Sequence, residues 1–95
     1  MAKRYDKTLD VICMIGGDGT VVPIKIRFTD DEGTVQVHKI KEYRDISHRG
    51  IFTNPDGVYI TNDMLVFMCK ILSFGHVKRI MLYYDTGKSK WMMSV

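Results

Sequence analysis

The sequence predicts an all-β domain, a small antiparallel meander of six to seven strands closed into a barrel or a strongly curled sheet. Three observations carry that expectation. Short runs alternate apolar and polar residues with the period of half-buried strands. Turn-forming clusters separate them: Gly16-Gly17-Asp18-Gly19, Asp30-Asp31-Glu32-Gly33, Asn54-Pro55-Asp56-Gly57, Gly75-His76 and Asp85-Thr86-Gly87-Lys88. Trial pairing of the runs across these turns also collects their apolar residues on single faces, which a one-residue slip would scatter.

The 95 residues suit one domain spanning 1–95. An apolar content of 45% with 26% charged residues is globular rather than disordered. The net charge of +3 has its basic excess at the two ends and an acidic middle around Asp30-Asp31-Glu32. That balance permits a polyanion partner but lacks the dense, one-sided basicity of a dedicated nucleic-acid binder. Met-Ala-Lys-Arg-Tyr-Asp-Lys has no signal-peptide character, and the longest apolar stretch, Met64 to Phe74, is broken by Lys70. A soluble, cytoplasmic protein is expected. Cys13 and Cys69 lack C-x-x-C spacing, so neither a zinc ribbon nor a disulfide scaffold is indicated.

The first hairpin illustrates the register argument. With Asp18-Gly19 at the centre of a type I′ turn, Ile15 faces Val22, Cys13 faces Ile24, Val11 faces Ile26 and Leu9 faces Phe28. All are apolar and share one face, while Asp10 meets Arg27 on the other. A longer loop over Gly16 to Gly19 keeps the same parity. Pro23 then falls on the outer side. The string Gly16-Gly17-Asp18-Gly19-Thr20 also resembles the phosphate-binding signature of NAD, diacylglycerol and sphingosine kinases. There a glycine-rich segment opens a helix and presents N–H groups to phosphate. Here it leads into Val21-Val22-Pro23-Ile24-Lys25-Ile26-Arg27-Phe28, a strand pattern. The turn is the better reading. Thr86-Gly87-Lys88-Ser89 imitates a Walker A ending, but Leu82 stands where that loop needs glycine.

Thr34 to Ile40 pairs with the second strand, Val35 opposite Phe28 and Val37 opposite Ile26, with a bulge near His38-Lys39 bringing Ile40 into phase. Ile40 to Ile46 is either a continued strand or one helical turn. Gly50 to Thr53 and Val58 to Thr61 form a short hairpin. For Met64 to Phe74 both helix and strand are possible, and the strand is favoured. A II′ loop at Gly75-His76 sets Ile71 against Ile80, Cys69 against Leu82 and Phe67 against Tyr84. The next hairpin sets Leu82 against Trp91 and Ile80 against Met93, and one core face results.

The opposite face carries the candidate ligand- or partner-binding residues Met68, Lys70, Arg79, Met81, Tyr83, Lys90 and Met92, beside Leu72 and Phe74. Methionines adapt to irregular partners, and a tyrosine flanked by lysines can stack a base or hold a peptide. Burial within one barrel core and self-association are the plainer alternatives. His38, His48 and His76 lack acids or thiols at ligand spacing, and no serine has an orienting acid. No catalytic residue, metal or cofactor is expected.

Tyr5-Asp6-Lys7-Thr8-Leu9-Asp10-Val11-Ile12-Cys13, Pro23-Ile24-Lys25-Ile26-Arg27-Phe28, Pro55-Asp56-Gly57-Val58-Tyr59 and Phe67-Met68-Cys69-Lys70-Ile71 together resemble a group of small bacterial all-β proteins of unassigned function. The resemblance covers most of the chain. It implies a neighbourhood of error-prone DNA polymerase genes for some members, hence an accessory role in DNA repair, and it transfers no site residue. The expected function is non-catalytic binding, as an adaptor acting through the mixed apolar and basic face. Partners would be a second copy or another protein, with no membrane. A single-stranded nucleic-acid-binding accessory protein is the alternative, and a GGDGT-type nucleotide binder is a more distant one.

Overall fold

A computed structural model describes residues 4–6, 8–47, 52–53, 59–60 and 63–95. The strands are β1 (Arg4–Tyr5), β2 (Asp10–Ile15), β3 (Val21–Thr29), β4 (Val35–Asp45), β5 (Phe52–Thr53), β6 (Tyr59–Ile60), β7 (Met64–Ser73), β8 (His76–Asp85) and β9 (Lys90–Ser94). No helix occurs among the described residues. One antiparallel sheet runs β1-β9-β8-β7-β4-β3-β2, and β5 and β6 pair separately. The asparagine–proline turn proposed between them lies outside the described residues. Six strands make the meander, and its sheet curls into a half-barrel. The two-residue β1 docks on β9 at the opposite border from β2, although only a short corner separates β1 from β2 in the chain. Tyr5 and Phe28 close the curl, their ring centroids 4.8 Å apart. Thr8 secures the corner by accepting a hydrogen bond from the Thr29 amide at 3.3 Å.

The Gly16–Thr20 segment is a turn between two strands. The Gly19 amide donates to the Gly16 carbonyl at 2.9 Å, and the Gly16 amide to the Thr20 carbonyl at 2.8 Å. This is a three-residue loop with Gly19 at φ 86°, a type I turn followed by a left-handed residue. Of the loop types the sequence leaves open, the longer loop forms rather than the two-residue type I′ turn. The predicted register holds only from Asp10↔Arg27 to Ile12↔Lys25. A bulge at Ile24 then sets Cys13 against Pro23 and Ile15 against Val21. Pro23 consequently turns inward and is buried, while Ile24 and Ile15 face solvent, contrary to expectation.

The Asp30–Thr34 loop has the same three-residue geometry, with Gly33 at φ 80°. It moves β4 by one residue from the predicted pairing, so Phe28 faces Gln36 and Ile26 faces His38. Val35 and Val37 point outward. No bulge forms at His38-Lys39, and the irregularity instead lies between Ile40 and Glu42 against β7. Residues 40–45 continue the strand.

Met64 to Ser73 is a strand, as favoured, but its turn is Phe74-Gly75 with φ 51° and 80°, the type I′ pattern. Both C-terminal hairpins pair two residues away from the predicted registers: Cys69↔Ile80, Phe67↔Leu82, Leu82↔Met93 and Tyr84↔Trp91. A two-residue shift keeps every side chain on its face, so the predicted core face survives. Phe67, Cys69, Ile71, Ile80, Leu82 and Met93 pack there with Leu9, Ile26 and Phe28. Each such large apolar side chain contributes about 1.5–3 kcal/mol through burial.

Candidate binding face

Strand alternation sorts the outer face into two zones. At one end Met64, Val66 and Tyr83 form a second buried cluster, with Ile46, Met81 and Met92 packed against it. The Ile46 amide ties this end together by donating to the Val66 carbonyl at 2.9 Å. Tyr83, expected to face a ligand, is 0% exposed and is a packing residue. Met68 and Met81 oppose one another and are half-buried, as is Met92 opposite Tyr83. Lys90 is exposed but pairs across the strands with Asp85. Of the predicted site, Lys70 and Arg79 are the residues brought together in the open, directly opposite one another.

The other zone extends from that pair toward β3. Lys25 lies directly opposite Lys39, and both are exposed. Glu42 approaches Lys70 at 3.4 Å, and Asp10 accepts from Arg27 Nε at 3.0 Å. Leu72 and Val77 oppose each other across β7 and β8, both exposed, and Phe74 at the adjoining turn is 90% exposed. The Lys25–Lys39 pair was missed because the β3–β4 register was one residue off. Lys25, Lys39, Lys70 and Arg79 alternate with core residues along their strands, and that was their only signal in the sequence.

The inner face supplies a shallow open cleft lined by Gln36, His38, Ser73 and Lys78 among others. Gln36 donates to Asp30 Oδ2 at 2.8 Å, which turns its carbonyl oxygen toward His38 Nε2 at 2.9 Å. His38 Nδ1 lies 3.2 Å from the Leu72 carbonyl. These contacts explain how two polar side chains sit inside the β3–β4 pair. Asp30 also accepts from the Glu32 and Thr34 amides. The Gln36 amide first, and the Thr34 amide second, hold its carboxyl below the ordinary aspartate range. Thr20 does the same to Asp18, through its side chain and then its backbone. Burial pushes the Cys69 thiol up to about 12, far from the thiolate form that reacts. Among the described residues, no three His, Cys, Asp or Glu side chains converge as a metal site would require. No described helix is long and apolar enough to cross a membrane.

No protein-family model, curated protein or solved structure matches the chain.

Proposed function

We propose that this chain is a non-catalytic binding module that takes an anionic polymer, single-stranded nucleic acid, on the exposed zone of its outer sheet face. The observation that carries this reading is the pair of like-charge cross-strand positions, Lys25 opposite Lys39 and Lys70 opposite Arg79, the latter pair with Glu42 3.4 Å from Lys70. Like charges directly opposite one another destabilise a sheet. A phosphate chain laid across them relieves that repulsion and releases counterions. Exposed Phe74, with Leu72 and Val77 beside it, adds a surface on which an unpaired base can stack. Asp18 and Asp30 are engaged in turn hydrogen bonds rather than poised for acid–base chemistry. The free thiols of Cys13 and Cys69 suit a reducing cytoplasm. The resemblance to small bacterial proteins near error-prone polymerase genes points in the same direction.

The same three apolar residues also favour an adaptor role toward a protein, and salt separates the two readings. Fluorescence anisotropy with a labelled thymidine oligonucleotide should show binding at about 50 mM salt and a steep loss by about 200 mM. Four phosphate contacts imply a log–log salt slope of about −3. Arg79→Glu and Lys39→Glu should each weaken binding at least about tenfold, equivalent to 1.4 kcal/mol. No binding at the lower salt concentration removes the nucleic-acid reading.

A further inference from the structure

We propose that two copies of this chain join edge to edge through β2, each β2 adding a strand to the other's sheet in antiparallel register about Cys13. Among the described residues β2 is paired on one side only, with β3, and is the border of the sheet. β1, not β2, takes the place beside β9. Among the described residues, no strand pairs with the other side of Asp10–Ile15.

Natural edge strands are usually blunted by lysine, proline, shortness or a bulge in the edge itself. β2 has neither lysine nor proline, spans six residues, and its sole charge, Asp10, stands at the start. The bulged residue, Ile24, belongs to β3, so β2 stays continuous. Ile12, Met14 and Ile15 are 59%, 55% and 67% exposed. Three large apolar side chains on one unguarded edge are unusual for a surface that meets only water.

The occupant follows from the strand's self-complementarity. A two-fold axis at Cys13 places Ile12 opposite the partner's Met14 on the outer face. It places Val11 opposite the partner's Ile15 on the inner face, so each of these residues gains an apolar neighbour. A register centred on Ile12 would instead set Asp10 against the partner's Met14. Closed two-fold pairing of this kind is the commonest way a chain self-associates. It also extends the half-barrel into one continuous sheet, and it leaves Lys39, Lys70 and Arg79 uncovered. The dimer therefore stands or falls separately from the proposed nucleic-acid binding.

Sedimentation equilibrium of the full chain tests it. The expected mass is twice the 11.0 kDa of one chain. Ile12→Lys should raise the dimer dissociation constant at least about tenfold, equivalent to 1.4 kcal/mol, with unchanged circular dichroism. Opposed residues in antiparallel strands have Cα atoms about 4.5–5.5 Å apart, within disulfide reach. Copper–phenanthroline oxidation should therefore link two chains in Cys69→Ser and leave Cys13→Ser unlinked. A monomer at about 100 μM, well above the micromolar constants of ordinary specific contacts, overturns the proposal. So does a dimer that Ile12→Lys leaves intact, or one in which Cys13 cannot be linked.

Discussion

The half of β7–β8–β9 around Met64, Val66 and Tyr83 is packed on both faces, while the β2–β3–β4 half of the sheet is packed on one. In the first half Leu82 and Phe67 meet the main core and Val66 and Tyr83 meet a second layer. In the second half Ile26 and Phe28 face the core, but Val35, Val37, Ile12 and Met14 face solvent. The difference separates two tasks within one sheet. The doubly packed half supplies stability, and the singly packed half, together with the Lys70, Leu72, Val77 and Arg79 end of β7 and β8, carries apolar and basic surface that a free monomer gains nothing by exposing.

The largest test of this contrast is Leu82→Ala against Val37→Ala. The first should cost about 2–5 kcal/mol in urea unfolding, and the second should stay within about 0.5 kcal/mol. Equal losses would break the comparison. Tyr83→Ala probes the second layer by the same measurement and should cost about 3 kcal/mol or more, as large aromatic truncations do. A loss below about 1 kcal/mol would return Tyr83 to the ligand-facing surface. Lys39→Glu should act in opposite directions on the two tasks. It should stabilise the free protein by roughly 0.2–1 kcal/mol by turning a like-charge pair into an opposite one, while weakening oligonucleotide binding.

The smallest expected effect concerns acid. Asp30 titrates below its ordinary value of 3.8 in the folded chain. Its contribution is therefore present above the unfolded value and is lost as pH falls through the lower folded one. Asp30→Asn should lower the melting temperature near neutral pH and flatten its decline in acid. Thermal scans from about pH 6 to pH 2.5 measure that slope, and an unchanged slope would show that the Gln36–Asp30 contact carries no stability.

Face parity was legible in the chain wherever errors came in twos. The β7–β8–β9 core was anticipated despite a misplaced turn, because a two-residue slip preserves sidedness. Phe74 concealed that turn, since a left-handed phenylalanine is not a residue type that turn chemistry favours. Errors of one residue were costly. The alternation of Val35 and Val37 suggested a core face, whereas hydrogen bonds let Gln36 and His38 take the inner positions. Pro23 was placed outside because the β3 bulge has no sequence marker of its own. For the binding face, Lys70 and Arg79 could be found from local pattern alone. Tyr83 could not, because its burial depends on Ile46 and Met64, which reach it from other segments.

The pairing of β1 with β9 has a consequence for synthesis. β1 leaves the ribosome before every other strand, and β9, its partner through Arg4↔Ser94 and Tyr5↔Met93, leaves after them. Every other neighbour in the sheet except β4 and β7 is joined by one short connection and can pair as it emerges. The β1–β9 contact must wait for translation through residue 94, an interval of seconds at ordinary elongation rates. During that interval the Tyr5 side of Phe28 and the border of β8 stay uncovered. A nascent chain stalled before β9 should accordingly be caught by chaperones that a finished chain escapes.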